Sequence, residues 1–211
     1  MSGTAPLHFM PTASPEDHAR AQLYGLVARL FHSAPDAQLL SALVHAEGFP
    51  DDDASRTGQG KALAAAWREM ADACRGAFPV LLVHEHTALF AAPGRAAVTP
   101  YLMHYSMRYE SETPLVELRA LLANWGIARH ENVNEPEDHV SALCETMRFS
   151  IAVQQRTIEE QKAFFNQYLY RGGIKFCDAV KASERARFYK PVADFTRAFF
   201  EVEHEAFEID G

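Results

Sequence analysis

Asn134-Glu135-Pro136-Glu137-Asp138-His139 leads into Val140, Leu143, Cys144, Met147 and Ile151, and the reading of this stretch decides the fold. The apolar residues recur every three or four positions, so they line one face of an α-helix. Two helix starts are written into the residues before them. Either Asn134 caps and Glu137 answers three residues later, or Glu135 caps with Pro136 at the first helical position. Both readings place Asp138 in the first turn, where free backbone N–H groups and the helix dipole favour a carboxylate. A capping side chain is worth about 1 kcal/mol. Three carboxylates and an imidazole at the mouth of a core helix exceed that need. Two readings follow: a solvated cap, or a polar docking site on a helical body.

Outward from this stretch the pattern stays helical. Ser14-Pro15-Glu16-Asp17 is a helix start, and Leu23, Val27 and Leu30 form its stripe as far as about His32. Pro35 opens a shorter piece through Leu43, and Gly48 to Gly60 reads as a surface loop. Leu63, Trp67, Met70 and Cys74 predict a helix closed by Gly76. Phe78 to Phe90 predicts another, although Pro79–Val83 alone would also suit a buried strand. Val98 to Tyr101 is extended because proline disfavours a helical residue before it. Pro114 begins a helix closed by Gly126, and Thr157 or Glu159 restarts the chain after the acidic helix. Gly172-Gly173 predicts a break, Ile174 to Val180 a short helix. Ser183 is expected to cap a last helix bearing Phe188, Val192, Phe195, Phe199 and Val202, with Pro191 either kinking it or marking its first turn. The fold class is all-α: one globular domain of about ten helices over residues 1–211, with 1–13 as a flexible N-terminus.

At 211 residues the chain can bury a sizeable core, and 48% hydrophobic with 23% charged residues is ordinary for a soluble protein. A net charge of −8 argues against nucleic acid, whose phosphates need basic patches. Residues 1–13 hold no Lys or Arg and no apolar run, so neither a secretory signal nor an anchor is expected, and no membrane span is present. Cys74, Cys144 and Cys177 are odd in number and far apart, which favours packed thiols in the cytosol over disulfides or a metal framework.

Catalytic patterns are sparse. His84-Glu85-His86 suggests metal, but residues two apart on a helix point about 200° apart and cannot share an ion, so the run reads as solvated helix. Gly58-Gln59-Gly60-Lys61 fails as a phosphate loop because Ser55 and Ala62 stand where Gly and Ser or Thr are needed. No nucleophile elbow or dinucleotide fingerprint occurs. A rival reading remains an α-helical metal-dependent hydrolase using the scattered histidines and carboxylates.

Glu135-Pro136-Glu137-Asp138-His139 resembles the Glu-Pro-x-Asp-His signature of the TorD/DmsD/NarJ family, chaperones dedicated to molybdenum-cofactor enzymes. Leu30-Phe31, Leu89-Phe90, Pro93-Gly94, Pro100-Tyr101, Phe164-Phe165-Asn166-Gln167-Tyr168-Leu169 and Phe188-Tyr189 follow the family's order along nearly the whole chain. The chain departs from it at Leu102-Met103-His104-Tyr105 and at Tyr170-Arg171-Gly172-Gly173, beside the expected client site. The resemblance implies a TorD-like all-α fold, monomeric or domain-swapped as a homodimer, and a cytoplasmic location. It implies binding of the twin-arginine leader peptide of a molybdoenzyme catalytic subunit, or of an equivalent segment, with membrane contact only through the export machinery. No cofactor and no catalytic residue are expected. Glu135, Glu137 and Asp138 would receive the leader's arginines. Pro136, His139, Pro100, Tyr101, His104 and Tyr105, with Met103, would complete the site beside its apolar body.

Overall fold

Ser14 starts the first helix as its residues dictate. Its hydroxyl accepts the Asp17 N–H at 3.0 Å while the Asp17 carboxylate reaches back to the Ser14 N–H, a reciprocal capping box. The computed structural model describes residues 14–49, 58–91, 96–106, 114–128 and 136–209; stretch 1–13, most of the loop before Gly58, and Glu135 lie outside the described residues. Among these, ten α-helices follow one another: α1 Pro15–His32, α2 Ala37–His45, α3 Gly58–Arg75, α4 Pro79–His86, α5 Met103–Ser106, α6 Pro114–Asn124, α7 Val140–Ala152, α8 Ile158–Phe164, α9 Arg171–Ala182 and α10 Tyr189–Ile209. Two π-helical turns, Thr87–Ala91 and Phe165–Tyr170, extend α4 and join α8 to α9. The only β pairing among the described residues is one antiparallel bridge between Tyr101 and His139. The all-α expectation holds.

The body is organised around α7 and α10. The first packs along α1, the second against α3 and α9. Val140, Leu143, Cys144, Met147 and Ile151 are all buried, as their spacing requires. Aromatic rings fill the centre: Tyr24 meets Phe199 edge-on at 4.8 Å, and Phe31 meets Phe176 at 5.0 Å. A carboxylate lies among these rings. Glu203 of α10 receives Arg20 Nε and Nη2 at 2.9 Å each and the Tyr24 hydroxyl at 2.9 Å, tying the end of α10 to α1.

Three expectations about local structure change. Gly172-Gly173 does not break the chain, because the π turn carries it directly into α9. These glycines are there for closeness. A Cβ on Gly172 would lie 2.6 Å from the Leu102 carbonyl oxygen, and one on Gly173 would lie 2.5 Å from the Phe200 ring. Ser183 closes α9 and does not cap α10. Instead Glu85 of α4 accepts the N–H groups of Arg187 at 2.7 Å, Phe188 at 3.3 Å and Tyr189 at 3.0 Å, capping α10 from another helix. Pro191 accordingly sits in the first turn of α10, where its missing N–H costs nothing. The third change is at α4, which starts at Pro79 within the expected Phe78–Phe90 stretch: His84 is exposed, but Glu85 and His86 turn toward the body. His86 packs against Phe90 and Tyr189, with ring centroids 5.3 and 5.8 Å away.

Candidate functional site

The acidic entrance to α7 is built differently from either cap its sequence offers. Pro136, Glu137 and Asp138 form a turn in which the His139 N–H donates to the Pro136 carbonyl at 3.2 Å. The helix starts only at Val140, and the cap is His139, whose Nδ1 accepts the Ser141 N–H at 3.1 Å. An imidazole is an uncommon cap. No local pattern announces it, because the neighbouring strand imposes the geometry. Leu102 N–H donates to the Asp138 carbonyl and Val140 N–H to the Pro100 carbonyl, both at 2.9 Å. This two-bond bridge fastens residues 98–106 as a strap between α7 and α9.

The strap places the nominated residues in two groups. Tyr101 and His139 stand together, their rings edge-on at 5.6 Å, with Pro100 buried behind them. Tyr105 lies at the other end, its hydroxyl donating to the Thr99 carbonyl at 2.9 Å and its ring near Phe176. Burial pushes the Tyr105 phenol up to about 12. Exposed His104 stacks edge-on against Tyr105 at 5.0 Å, and the Tyr105 carbonyl accepts Lys175 Nζ at 2.9 Å.

Asp138 is not part of an exposed lip. It is 7% exposed and His139 4%. Burial raises the Asp138 carboxyl above its ordinary range, opposed by the N–H groups of Asp138 itself and of Met103. Its carboxylate therefore serves the first residue of α5 and holds the strap in register. Glu137 is half-buried, its carboxylate 3.0 Å from Nε of the more exposed Arg119 of α6.

Beside these residues lies a hollow of about 380 Å³. Pro136, Glu137 and His139 form one wall, Ser141, Ala142, Glu145 and Phe149 of α7 its floor, Leu122 and Ile127 the facing side, and His32 the end of α1. His139 thus opens onto the cavity, whereas the Asp138 side chain is buried and does not line it. The lining is mostly apolar, with two carboxylates at the rim. Glu145 is paired with Arg148 at 2.7 Å. Sequence reading missed this wall, although one signal was available. Ala142, Glu145 and Phe149 recur at helical spacing on the face of α7 that the apolar ladder leaves free. His32, Leu122 and Ile127 arrive from distant segments and leave no local trace. A second hollow of about 460 Å³ lies on the far side of the strap, among Asn166, Tyr170, Arg171, Ile174, Lys175 and His204.

The scattered histidines do not converge. Among the described residues no group of three His, Cys, Asp or Glu side chains is placed to hold a metal ion. His18 and His45 bond carbonyls of their own helices, those of Ser14 and Ser41. The metal-hydrolase reading finds no supporting geometry.

The class this geometry defines is an all-helical protein with a mostly apolar hollow against α7, bordered by Glu137, Glu145 and Arg148. The chain belongs to the nitrate reductase delta subunit family, the TorD/DmsD/NarJ group of molybdoenzyme maturation chaperones; the family's model matches residues 58–178. It is similar to the chaperone protein TorD of Shewanella loihica, 26% identical over 205 residues that span 92% of this chain and 95% of that one. TorD of Photobacterium profundum is 23% identical over 133 residues, 58% of this chain and 62% of that protein. A solved structure of an Archaeoglobus fulgidus protein, assigned to redox enzyme maturation, shares the fold at a TM-score of 0.53. It is 18% identical, with 94% of this chain and 99% of that one covered.

Proposed function

We propose that this chain is a cytoplasmic, system-specific chaperone. It binds the twin-arginine leader, or an equivalent N-terminal segment, of a molybdenum-cofactor oxidoreductase and holds it for cofactor insertion and assembly before export. The observation that carries this reading is the hollow against α7: apolar within, acidic at the rim, and walled by the Pro136–His139 turn. A leader has a basic head and an apolar body. Leu122, Ile127 and Phe149 suit the body, while Glu137 and Glu145 suit the head. Both acids already have arginine partners, but Arg119, Glu145 and Arg148 are each about half exposed. Glu137 itself is only 16% exposed, but a pair exposed on both sides, as Glu145–Arg148 is, is worth only about 0–1 kcal/mol, so a client arginine can replace Arg148 at little cost. His139 borders the seat with the Tyr101 ring packed edge-on against it, and Asp138 positions both through the strap without touching the client. Affinity near micromolar, about −8 kcal/mol, suits a client that must later be released. Its partner is then a molybdoenzyme catalytic subunit, met by a monomer or by a domain-swapped homodimer.

Calorimetry with a synthetic leader from a molybdoenzyme encoded beside this chain tests the reading. Ala142→Trp fills the hollow and should weaken binding about tenfold or more, with circular dichroism unchanged. Glu137→Gln with Glu145→Gln should weaken it less and flatten its salt dependence. Undiminished binding in both variants would place the leader elsewhere.

A further inference from the structure

Helix α4 is built inside out. At 100° per residue, Val83, Val80, His84 and Leu81 fall in order along one arc, and Leu82, Glu85 and His86 along the opposite one. The second arc faces the body: Leu82 is buried, Glu85 caps α10 and His86 packs on Tyr189. The first faces solvent. Val80 is 71% exposed, Leu81 62% and Val83 53%, and Phe78, just before the helix, is 68% exposed. Surface helices normally show the reverse arrangement. Three large apolar side chains on one face of α4, with Phe78 exposed just before it, make an apolar surface of a kind that marks an interaction site.

We propose, in place of the purely indirect membrane contact that the family resemblance implies, that this ridge is a peripheral docking surface for an anionic lipid bilayer, into whose headgroup region Phe78, Val80, Leu81 and Val83 insert. The ridge projects outward, and neither hollow described above involves α4, so no groove is offered for a peptide. The patch covers on the order of a few hundred Å². That is well below the roughly 800 Å² per partner of a stable dimer. The charges beside it suit a negative surface. The loop packed on Glu85 presents Arg185 and Arg187, both exposed, with Glu184 as its one acid, and His84 lies within the ridge itself. The chain's net charge of −8 opposes this attraction only weakly, because charges more than about 8–10 Å from the contact are screened at physiological salt. Apolar insertion beside a few cations gives weak, reversible membrane residence.

Sedimentation of the full chain with vesicles tests the proposal, using equal parts phosphatidylglycerol and phosphatidylcholine against phosphatidylcholine alone, with sedimentation equilibrium run alongside. The wild-type chain should partition onto the anionic vesicles and less so at high salt. Leu81→Ser with Val83→Ser should lower that partition about tenfold, and Arg187→Gln should lower it by less. These side chains are exposed, so helix content and leader binding at the α7 hollow should stay at the wild-type level. Failure to bind anionic vesicles would overturn the proposal, as would equal binding to neutral ones or full binding by the serine variant. A wild-type dimer that the serine variant turns into a monomer would also overturn it, and would assign the ridge to a second copy.

Discussion

Gly172→Ala adds one methyl group where α9 passes under the strap. The new Cβ would lie 2.6 Å from the Leu102 carbonyl oxygen and 2.7 Å from Ser106 Oγ, about 0.8 Å short of the 3.4 Å at which ordinary contact begins. Ser106 can rotate away, although its hydroxyl would then lose the Leu102 carbonyl it donates to at 3.1 Å. The carbonyl cannot easily retreat, because the Leu102 N–H is held by Asp138. Forced crowding of this kind costs about 1–3 kcal/mol. Alanine regains about 1 kcal/mol of helix propensity over glycine. The net loss is therefore about 1 kcal/mol, rising to about 2 if the strap holds firm. Gly58→Ala, with nothing within 4 Å of the added carbon, is the control and should gain about 0.5 kcal/mol. Urea unfolding followed by circular dichroism measures both, and the gap between the midpoints isolates the clash. Hydrogen exchange at the Leu102 and Val140 amides should quicken in Gly172→Ala if the strap lifts. A Gly172→Ala variant as stable as Gly58→Ala, with both amides still protected, would refute the close-approach argument.

Two further predictions concern buried acids. Burial raises the Asp138 carboxyl, so its proton is held more tightly in the folded chain than in the unfolded one. Its contribution to stability is then complete below the ordinary aspartate range and is lost as pH rises through the folded pKa. Asp138→Asn should remove that decline from urea midpoints measured between roughly pH 3 and 7. Identical slopes in the variant and the wild type would count against it. Glu203→Ala strands Arg20 and the Tyr24 hydroxyl, and should cost roughly 3–5 kcal/mol, whereas Glu203→Gln keeps an acceptor and should cost less. Thermal unfolding should show a fall on the order of 10 °C for the alanine variant; equal losses in the two variants would mean that packing, not pairing, holds the two helices together.

Much of the architecture is legible locally because its causes are local. Ser14-Pro15-Glu16-Asp17 starts a helix wherever it occurs, and the three-four ladder from Val140 to Ile151 is buried for the reason its spacing gives. The misreadings share another origin: the deciding partner is far away in sequence. Gly172-Gly173 looks like a hinge until Leu102 and Phe200 arrive against it. Glu85 looks solvated until the start of α10 needs its oxygens 102 residues later. His139 becomes a cap, and Asp138 a buried tie, because Pro100 and Leu102 add backbone hydrogen bonds that no helical periodicity encodes. The hollow against α7 was half visible. Its α7 floor follows helical spacing, while the wall from α6 and the end of α1 exists only in the folded chain.

On the proposed function, the strap also bears on how client preference could diverge among related chains. Pro100 and Leu102 are gripped through main-chain atoms, which every residue type except proline provides in full. The outward side chains of Tyr101 and His104 therefore ride on a mounting indifferent to their identity. Exchanging them for other residues should retune recognition at little risk to folding, so this short segment is the natural place to graft one relative's selectivity onto another.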